Sequence, residues 1–392
     1  MKSLHKFFSV LLIFTLGFFA INSNTLVKAA AEITVPTIHD IEISAKSAVL
    51  MEAKTGAILY SKNENEALPP ASVTKIMTLL LAAEALDEGK FSLTDTVSIS
   101  AKAASMGGSQ VFLEEGEKIG VEDLFKCTVI ASANDAALAL AELVCGSEEA
   151  FINRMNGRAH ELGLNSTYFE NVTGLDDTTT KHLTSALDIA KMSRELMKHD
   201  IILKYSSIWQ DTIRNGDFTL TNTNRLVRFY DGCNGLKTGS TSKAGYCMSA
   251  TAKRDGMQLI AVIMGADTRD IRNAEAKKLL DIGFSDYSLY CFEEKTIKTL
   301  PVLCGTVNEI NIKCENFSVL IPKGSEKNIK MIYELPEELT APIDENEIVG
   351  KIKFSLNDKI IGESNLYSES SIARISVIQI FIEIVKCVFV NA

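Results

Sequence analysis

The segment "LKTGSTSKAGYCMSATAKRDGMQLIAVIMGA" limits the possible folds more than any other in this chain. It holds two long strand-like runs joined by Arg254-Asp255-Gly256, a turn signal where a hairpin needs one. A second hairpin is written near the start. "SAVLMEAKTGAILYSK" alternates like a strand, turns at Lys54-Thr55-Gly56 and resumes as a strand. Between the two hairpins the periodicity is helical. "PPASVTKIMTLLLAAEALDEGK" predicts a mostly apolar helix from Ser72 to about Glu88, stopped by Gly89. "GVEDLFKCTVIASANDAALALAELV" reads as two helices broken at Ser132-Ala133-Asn134, and further helices are expected over roughly 148–162 and 184–198. After the long hairpin, "DIRNAEAKKLLDIGF" closes the region with another helix. Strands split by a helical block predict an α+β fold, with helices packed beside an antiparallel sheet, over residues 32–286.

Beyond that point the helical signal vanishes. "VLCGTVNEINIKCENFSVLIPKGS" and "IVGKIKFSLNDKIIGES" are short alternating runs with turn residues between them, so residues 287–372 are expected to form a small all-β domain. The end of the chain, residues 373–392, differs again. In "RISVIQIFIEIVKCVFVNA" the polar residues Ser376, Gln379, Glu383 and Lys386 recur at helical spacing and leave the remaining surface apolar. A spanning helix would carry Glu383 and Lys386 into hydrocarbon, which is costly, so a helix lying in a membrane surface fits better than one crossing it. Packing against the protein itself is the plainer alternative. Residues 1–31 combine Lys2 and Lys6, the apolar run "FFSVLLIFTLGFFAI" and a patch of alanines, which reads as a secretory signal peptide.

Charge and cysteines narrow the chemistry. The net charge is −10, and removing the leader, which holds three lysines and no acid, makes it more negative. An acidic chain with no basic stretch argues against nucleic acid. Eight cysteines in an exported chain invite disulfides, yet most sit in apolar or regular segments. Free thiols are expected, with Cys304–Cys314 the pair most able to bridge a hairpin. Five scattered histidines and the lack of any C-x-x-C or H-E-x-x-H leave no metal site, and nothing points to a cofactor.

Ser72-Val73-Thr74-Lys75 sets a hydroxyl and an amine one helical turn apart on one face. At a helix start the serine N–H is free to meet a developing oxyanion, and the lysine can act as base if burial or another cation lowers its pKa. By itself S-x-x-K is weak, since Ser240 and Lys243 match it too. Ser132-Ala133-Asn134 offers a hydroxyl for proton relay and an amide for a carbonyl or for the lysine, although a capped interhelical loop would look the same. Order and spacing change the odds. S-x-x-K at 72 is followed by S-x-N sixty residues on, and by Lys237-Thr238-Gly239 about a hundred further. The earlier Lys-Thr-Gly at 54–56 precedes the serine and is assigned to turn geometry.

With these segments in view, the chain closely resembles the penicillin-binding D-alanyl-D-alanine carboxypeptidases of the low-molecular-mass serine type. "PPASVTKIMT", "SANDA" and "GLKTGSTSKAGY" match that family's three motifs, and "LGLNSTYFENVTGLDD", "AEAKKLLDIGF" and "ELTAPIDENEIVG" are also family-like. The resemblance implies a helical block with a five-stranded antiparallel sheet, a β-sandwich domain and a C-terminal amphipathic anchor. It implies a substrate, peptidoglycan stem peptides ending in D-Ala-D-Ala, and covalent inhibition by β-lactams. Ser72 would attack, Lys75 would take its proton, and Ser132 would relay a proton to the leaving amine. Asn134 would hold the acyl-side amide. Lys237 would supply positive potential, with Thr238 on the terminal carboxylate and Gly239 completing the motif. The N–H groups of Ser72 and Ser240 would form the oxyanion hole. Arg272 matches an arginine implicated in carboxylate recognition, its plainer reading being a solvated residue at a helix start.

One departure stands out. The family usually has glycine where this chain has Ala133, and if that residue needs positive φ, alanine would strain the loop. Two other readings compete with the carboxypeptidase. A class A β-lactamase would use a glutamate such as Glu161 in "ELGLN", here read as a surface helical residue. A catalytically dead wall-binding scaffold would not need Ser72, Lys75, Ser132, Asn134 and Lys237 together.

Overall fold

The computed structural model describes residues 41–293 and 295–390. The expected leader lies outside the described residues, as do the side chains of Glu383, Lys386 and Cys387. Strands β1 (Ser47–Glu52), β2 (Ile58–Lys62), β3 (Cys233–Thr241), β4 (Gly245–Arg254) and β5 (Met257–Ala266) form one antiparallel sheet. Their order is β2-β1-β5-β4-β3, so the two sequence hairpins meet where β1 pairs with β5. Asp255 and Gly256 take φ of +48° and +79° between β4 and β5, the mirror-image turn that suits strand twist.

β1 and β5 are buried along their whole length except Gln258, because the sheet is covered on both faces. Side chains alternate between two cores. Val49, Met51, Ile260 and Val262 meet the helical block, whereas Ala48, Leu50, Leu259 and Ala261 meet the other face. The helical block contains α1 (Lys75–Asp87), α2 (Val121–Val129), α3 (Asn134–Cys145) and α4 (Ala186–Leu196). Ten of the thirteen residues of α1 are buried. A helix apolar all round belongs in the middle of its block, and that position carries Lys75 inside with it. On the opposite face α5 (Arg269–Asp286) packs through Ala276, Leu279, Leu280 and Phe284. Thr268 starts α5 by accepting a hydrogen bond from Ile271 N at 3.2 Å.

The earlier Lys-Thr-Gly is a turn. The buried Glu52 carboxylate accepts hydrogen bonds from Lys54 N (3.0 Å), Thr55 N (2.7 Å) and Thr55 Oγ1 (2.6 Å). Gly56 follows with φ of +76°.

Where α5 ends, β6 (Tyr287–Phe292) begins. It pairs with β9 (Phe317–Pro322) as a two-stranded ribbon. Strands β7 (Lys295–Leu303), β8 (Glu309–Cys314), β10 (Ile329–Glu334), β11 (Leu339–Thr340), β12 (Ile348–Leu356) and β13 (Lys359–Ser368) form a six-stranded sheet ordered β10-β12-β13-β8-β7-β11. The ribbon lies on this sheet through Phe292 and Phe317, whose rings sit 5.4 and 4.3 Å from that of Phe354. The seven described cysteines are free thiols. Cys304 lies beyond the paired part of the β7–β8 hairpin, in which Cys314 faces Lys295, so the hairpin bridge does not form. The last described element, α6 (Val377–Val390), exposes Val377, Ile378, Phe381 and Ile384. Among the described residues no helix is long and apolar enough to cross a membrane.

Candidate active site

A cleft of about 620 Å³ opens between the helical block and β3, the edge strand of the sheet, with Ser72, Ser132, Thr238, Gly239, Ser240 and Arg272 on its walls. Ser72 lies in a 3-10 turn (Ala71–Thr74) that runs directly into α1. Gly239 explains how closely β3 approaches this turn. A Cβ on Gly239 would stand 2.7 Å from Ser72 N, 2.8 Å from Val73 N and 2.9 Å from Pro70 O, so only glycine fits.

Beneath the serine, Lys75 is fully buried. Its Nζ lies 2.9 Å from Ser72 Oγ, 2.5 Å from Asn134 Oδ1 and 3.2 Å from Thr173 O. Burial holds its pKa well below that of an ordinary lysine, and the Lys237 ammonium adds to the effect while the Asp135 carboxylate opposes it. A neutral amine has two N–H bonds and one lone pair. Asn134 Oδ1 and Thr173 O take the two N–H bonds, which leaves the lone pair facing Ser72 Oγ. The geometry therefore suits a base.

Lys237 Nζ donates to Ser132 Oγ at 2.7 Å and to Thr238 O at 2.9 Å. Burial, then the Arg272 guanidinium, brings its pKa down to about 7. Thr238 Oγ1 donates to Thr223 Oγ1 at 2.8 Å. Asn134 is engaged at both ends, since its Nδ2 donates to Gly107 O at 2.6 Å. In this state it serves Lys75, and holding a substrate amide would require releasing Gly107. Arg272 is 3% exposed and donates to Cys247 O (3.4 Å) and Asn273 Oδ1 (2.9 Å), so it is not a solvated helix-start residue. Burial, and then Arg269, lowers its pKa to about 10.

The loop of the second motif differs from the sequence reading in one respect. Ala133 has φ −62° and ψ 127°, an ordinary extended conformation, and alanine is unstrained there. The left-handed residue is Ser132, with φ of +63°. Backbone strain in this loop is carried by the residue that holds Lys237.

Several supporting groups escaped the sequence reading. Asp135 accepts from Val111 N (3.1 Å) and Leu113 N (3.1 Å), and Ser109 O accepts from Asn134 N at 2.7 Å, which ties the 107–113 loop to the cleft. His182 stands behind the nucleophile turn. Glu170 N donates to its Nδ1 at 3.0 Å, so the proton sits on Nε2, which donates to Thr74 Oγ1 at 2.7 Å. Burial lowers the pKa of this ring to about 4 and keeps it neutral. Arg225, Arg269 and Trp209 also line the cleft. None of these belongs to a short motif; only the fold brings them together. Glu161 is exposed and paired with Arg154 (2.8 Å) and Arg158 (3.1 Å), outside the cleft. The residue a β-lactamase reading would need is thus occupied elsewhere.

A serine at a helix start, a buried lysine beside it and a second buried lysine on the adjoining edge strand are the parts that serine–lysine acyl transfer requires. Comparison with known proteins gives the family. The chain belongs to the D-alanyl-D-alanine carboxypeptidase family, whose model matches residues 32–268, and the model of the penicillin-binding protein 5 C-terminal domain matches residues 285–374. D-alanyl-D-alanine carboxypeptidase DacF of Bacillus subtilis is 44% identical over 337 residues, covering 84% of this chain and 86% of the relative. The crystal structure of penicillin-binding protein 5 from Haemophilus influenzae matches with a TM-score of 0.75 and 32% identity, over 86% of this chain and all of that one. Penicillin-binding protein D2 from Listeria monocytogenes, in its ampicillin-bound form, matches with a TM-score of 0.58 and 30% identity over 63% of this chain and all of that one.

Proposed function

We propose that this chain removes the terminal D-alanine from peptidoglycan stem peptides through an acyl-enzyme on Ser72. The observation that carries the reading is the buried, pKa-lowered Lys75 amine at 2.9 Å from Ser72 Oγ, with its N–H bonds already given to Asn134 Oδ1 and Thr173 O. Lys75 takes the Ser72 proton as Oγ attacks the carbonyl between the two D-alanines. The oxyanion forms against the N–H groups of Ser72 and Ser240, which the side-chain-free Gly239 brings together. Ser132, held by Lys237, passes a proton to the leaving amine. Thr238 and Arg272 take the terminal carboxylate, and Asn134 fixes Lys75. Water then hydrolyses the ester. A β-lactam would acylate the same serine, a reading supported by the ampicillin-bound form of the Listeria neighbour.

The leader-like sequence supports export, with the enzyme working at the outer face of the cytoplasmic membrane. Residues 32–286 would then be the catalytic domain and 287–372 a β domain holding it away from the anchor. The exposed apolar side chains of α6 support a helix lying in the membrane surface, since they find no partner on the protein.

The test is release of D-alanine from diacetyl-L-lysyl-D-alanyl-D-alanine by the wild-type chain and by Ser72→Ala. Release that disappears in the variant supports the reading. No release by the wild type would favour a scaffold that has kept the fold without the activity.

A further inference from the structure

The cleft holds more positive charge than this reaction uses. A substrate ending in one carboxylate occupies Thr238 and one guanidinium, that of Arg272. Arg225 and Arg269 line the same cleft, and no acidic side chain does. Among the described residues neither guanidinium has a hydrogen bond or an ion pair. Both are close enough to Arg272 to lower its pKa, Arg269 more strongly than Arg225. Three like charges held together without a counter-charge form a field that attracts an anion.

A fourth donor stands in the same wall. Trp209 lines the cleft, and its indole N–H is the one buried side-chain polar atom without a partner among the described residues. Native folds rarely leave such a donor unpaired. Its ring is fixed by Phe229, with centroids 6.3 Å apart, and by the Arg228 guanidinium 5.4 Å above it.

The contacts also say where this group lies. Thr223 receives the Thr238 hydroxyl at 2.8 Å, and Trp209 O accepts from Asn222 N at 2.8 Å. The segment carrying Arg225 and Trp209 therefore begins where the terminal carboxylate would end. Arg269 stands one helical turn from Arg272, on the same face of α5.

We propose that Trp209, Arg225 and Arg269 form a second acid subsite beyond Thr238, which takes the side-chain carboxylate of the leaving residue. Acyl-D-alanyl peptides ended by D-glutamate or D-aspartate would then be better substrates than those ended by a neutral residue of the same size. The chemistry is unchanged. The D-alanyl carbonyl transfers to Ser72 Oγ, its bond to the leaving nitrogen breaks, that nitrogen gains a proton, and water regenerates Ser72 with release of the free acidic D-amino acid.

This inference rests on the carboxypeptidase reading. It is tested by kcat/KM for diacetyl-L-lysyl-D-alanyl peptides ended by D-glutamate, D-glutamine and D-alanine, measured on the full chain. The D-glutamate to D-glutamine ratio isolates the charge. It should be about tenfold in the wild type, fall towards one in Arg225→Gln and Arg269→Gln, and shrink as salt is raised. Trp209→Phe, which keeps an aromatic ring and loses the N–H, should lower the ratio about threefold. Hydrolysis of the D-alanine peptide with a ratio near one would overturn the subsite alone, as would a high ratio that neither arginine substitution changes. Failure to hydrolyse even the D-alanine peptide would remove the carboxypeptidase reading, and this subsite with it.

Discussion

Replacing Gly239 by alanine tests how the two halves of the site are held together. The added Cβ would lie 2.7 Å from Ser72 N, against an ordinary contact of 3.4 Å or more. Both partners are backbone, so neither can rotate away, and β3 must retreat from the nucleophile turn by about 0.7 Å. That retreat moves Ser240 N–H away from the proposed oxyanion position and shifts Lys237 against Ser132. Misplacement approaching 1 Å costs about 10²-fold in rate, and loss of one oxyanion donor costs about 10²–10³-fold. Acylation by a fluorescent penicillin and D-alanine release should therefore both fall by about 10²-fold or more. Overpacking should destabilise the fold by about 1–3 kcal/mol, lowering Tm by several degrees without unfolding the protein at 25 °C. Gly56→Ala, in the other Lys-Thr-Gly, is the matched control. Its φ of +76° makes alanine costly to stability, by about 1 kcal/mol, but acylation should stay within twofold of wild type. Gly239→Ala acting within threefold of wild type would refute the proposed close approach of β3 to Ser72.

Three further outcomes are expected. Ala133→Gly should relieve no strain, because the left-handed residue is Ser132; the added backbone freedom and the lost buried methyl should cost about 1 kcal/mol in urea unfolding. A gain in stability would show that the strain sits at Ala133 after all. Lys237 has a folded pKa of about 7 against a usual 10.5, so the unfolded chain binds more protons between those values. Its contribution to stability is fully present above about pH 10.5 and lost as pH falls through about 7, and the difference in stability between wild type and Lys237→Met should follow that window. A pH-independent difference would argue against a buried, neutralised lysine. Finally, deleting residues 377–392 should abolish co-sedimentation with anionic phospholipid vesicles while D-alanine release from a soluble peptide persists; unchanged binding would place membrane contact elsewhere.

Much of the fold could be read from the sequence because it depends on local periodicity. The Arg254–Met257 turn, the helix breaks at Gly89 and Ser132, and the loss of helical pattern after Asp286 all follow from neighbouring residues. The candidate site was legible as far as its motifs reach. Ser72, Lys75, Ser132, Lys237, Thr238, Gly239, Ser240 and Arg272 meet around one cleft, with Asn134 beneath them on Lys75. What the sequence could not show depends on residues far apart in the chain. Burial sets the Lys75 pKa more than the second lysine does, and burial comes from the position of α1 inside its block. The left-handed turn falls on Ser132, whose hydroxyl accepts from Lys237, and no residue type announces that. Arg225, Arg269 and Trp209 stand in no motif, and they share a wall only once β3 and α5 are packed.

The central claim, that Ser72 is the acylated nucleophile, is most directly tested by intact mass and peptide mapping after brief exposure to penicillin. One penicilloyl group per chain, located on the peptide holding Ser72 and absent from both Ser72→Ala and Lys75→Met, is the predicted result. An adduct on another residue, or an unmodified wild-type chain, would contradict it.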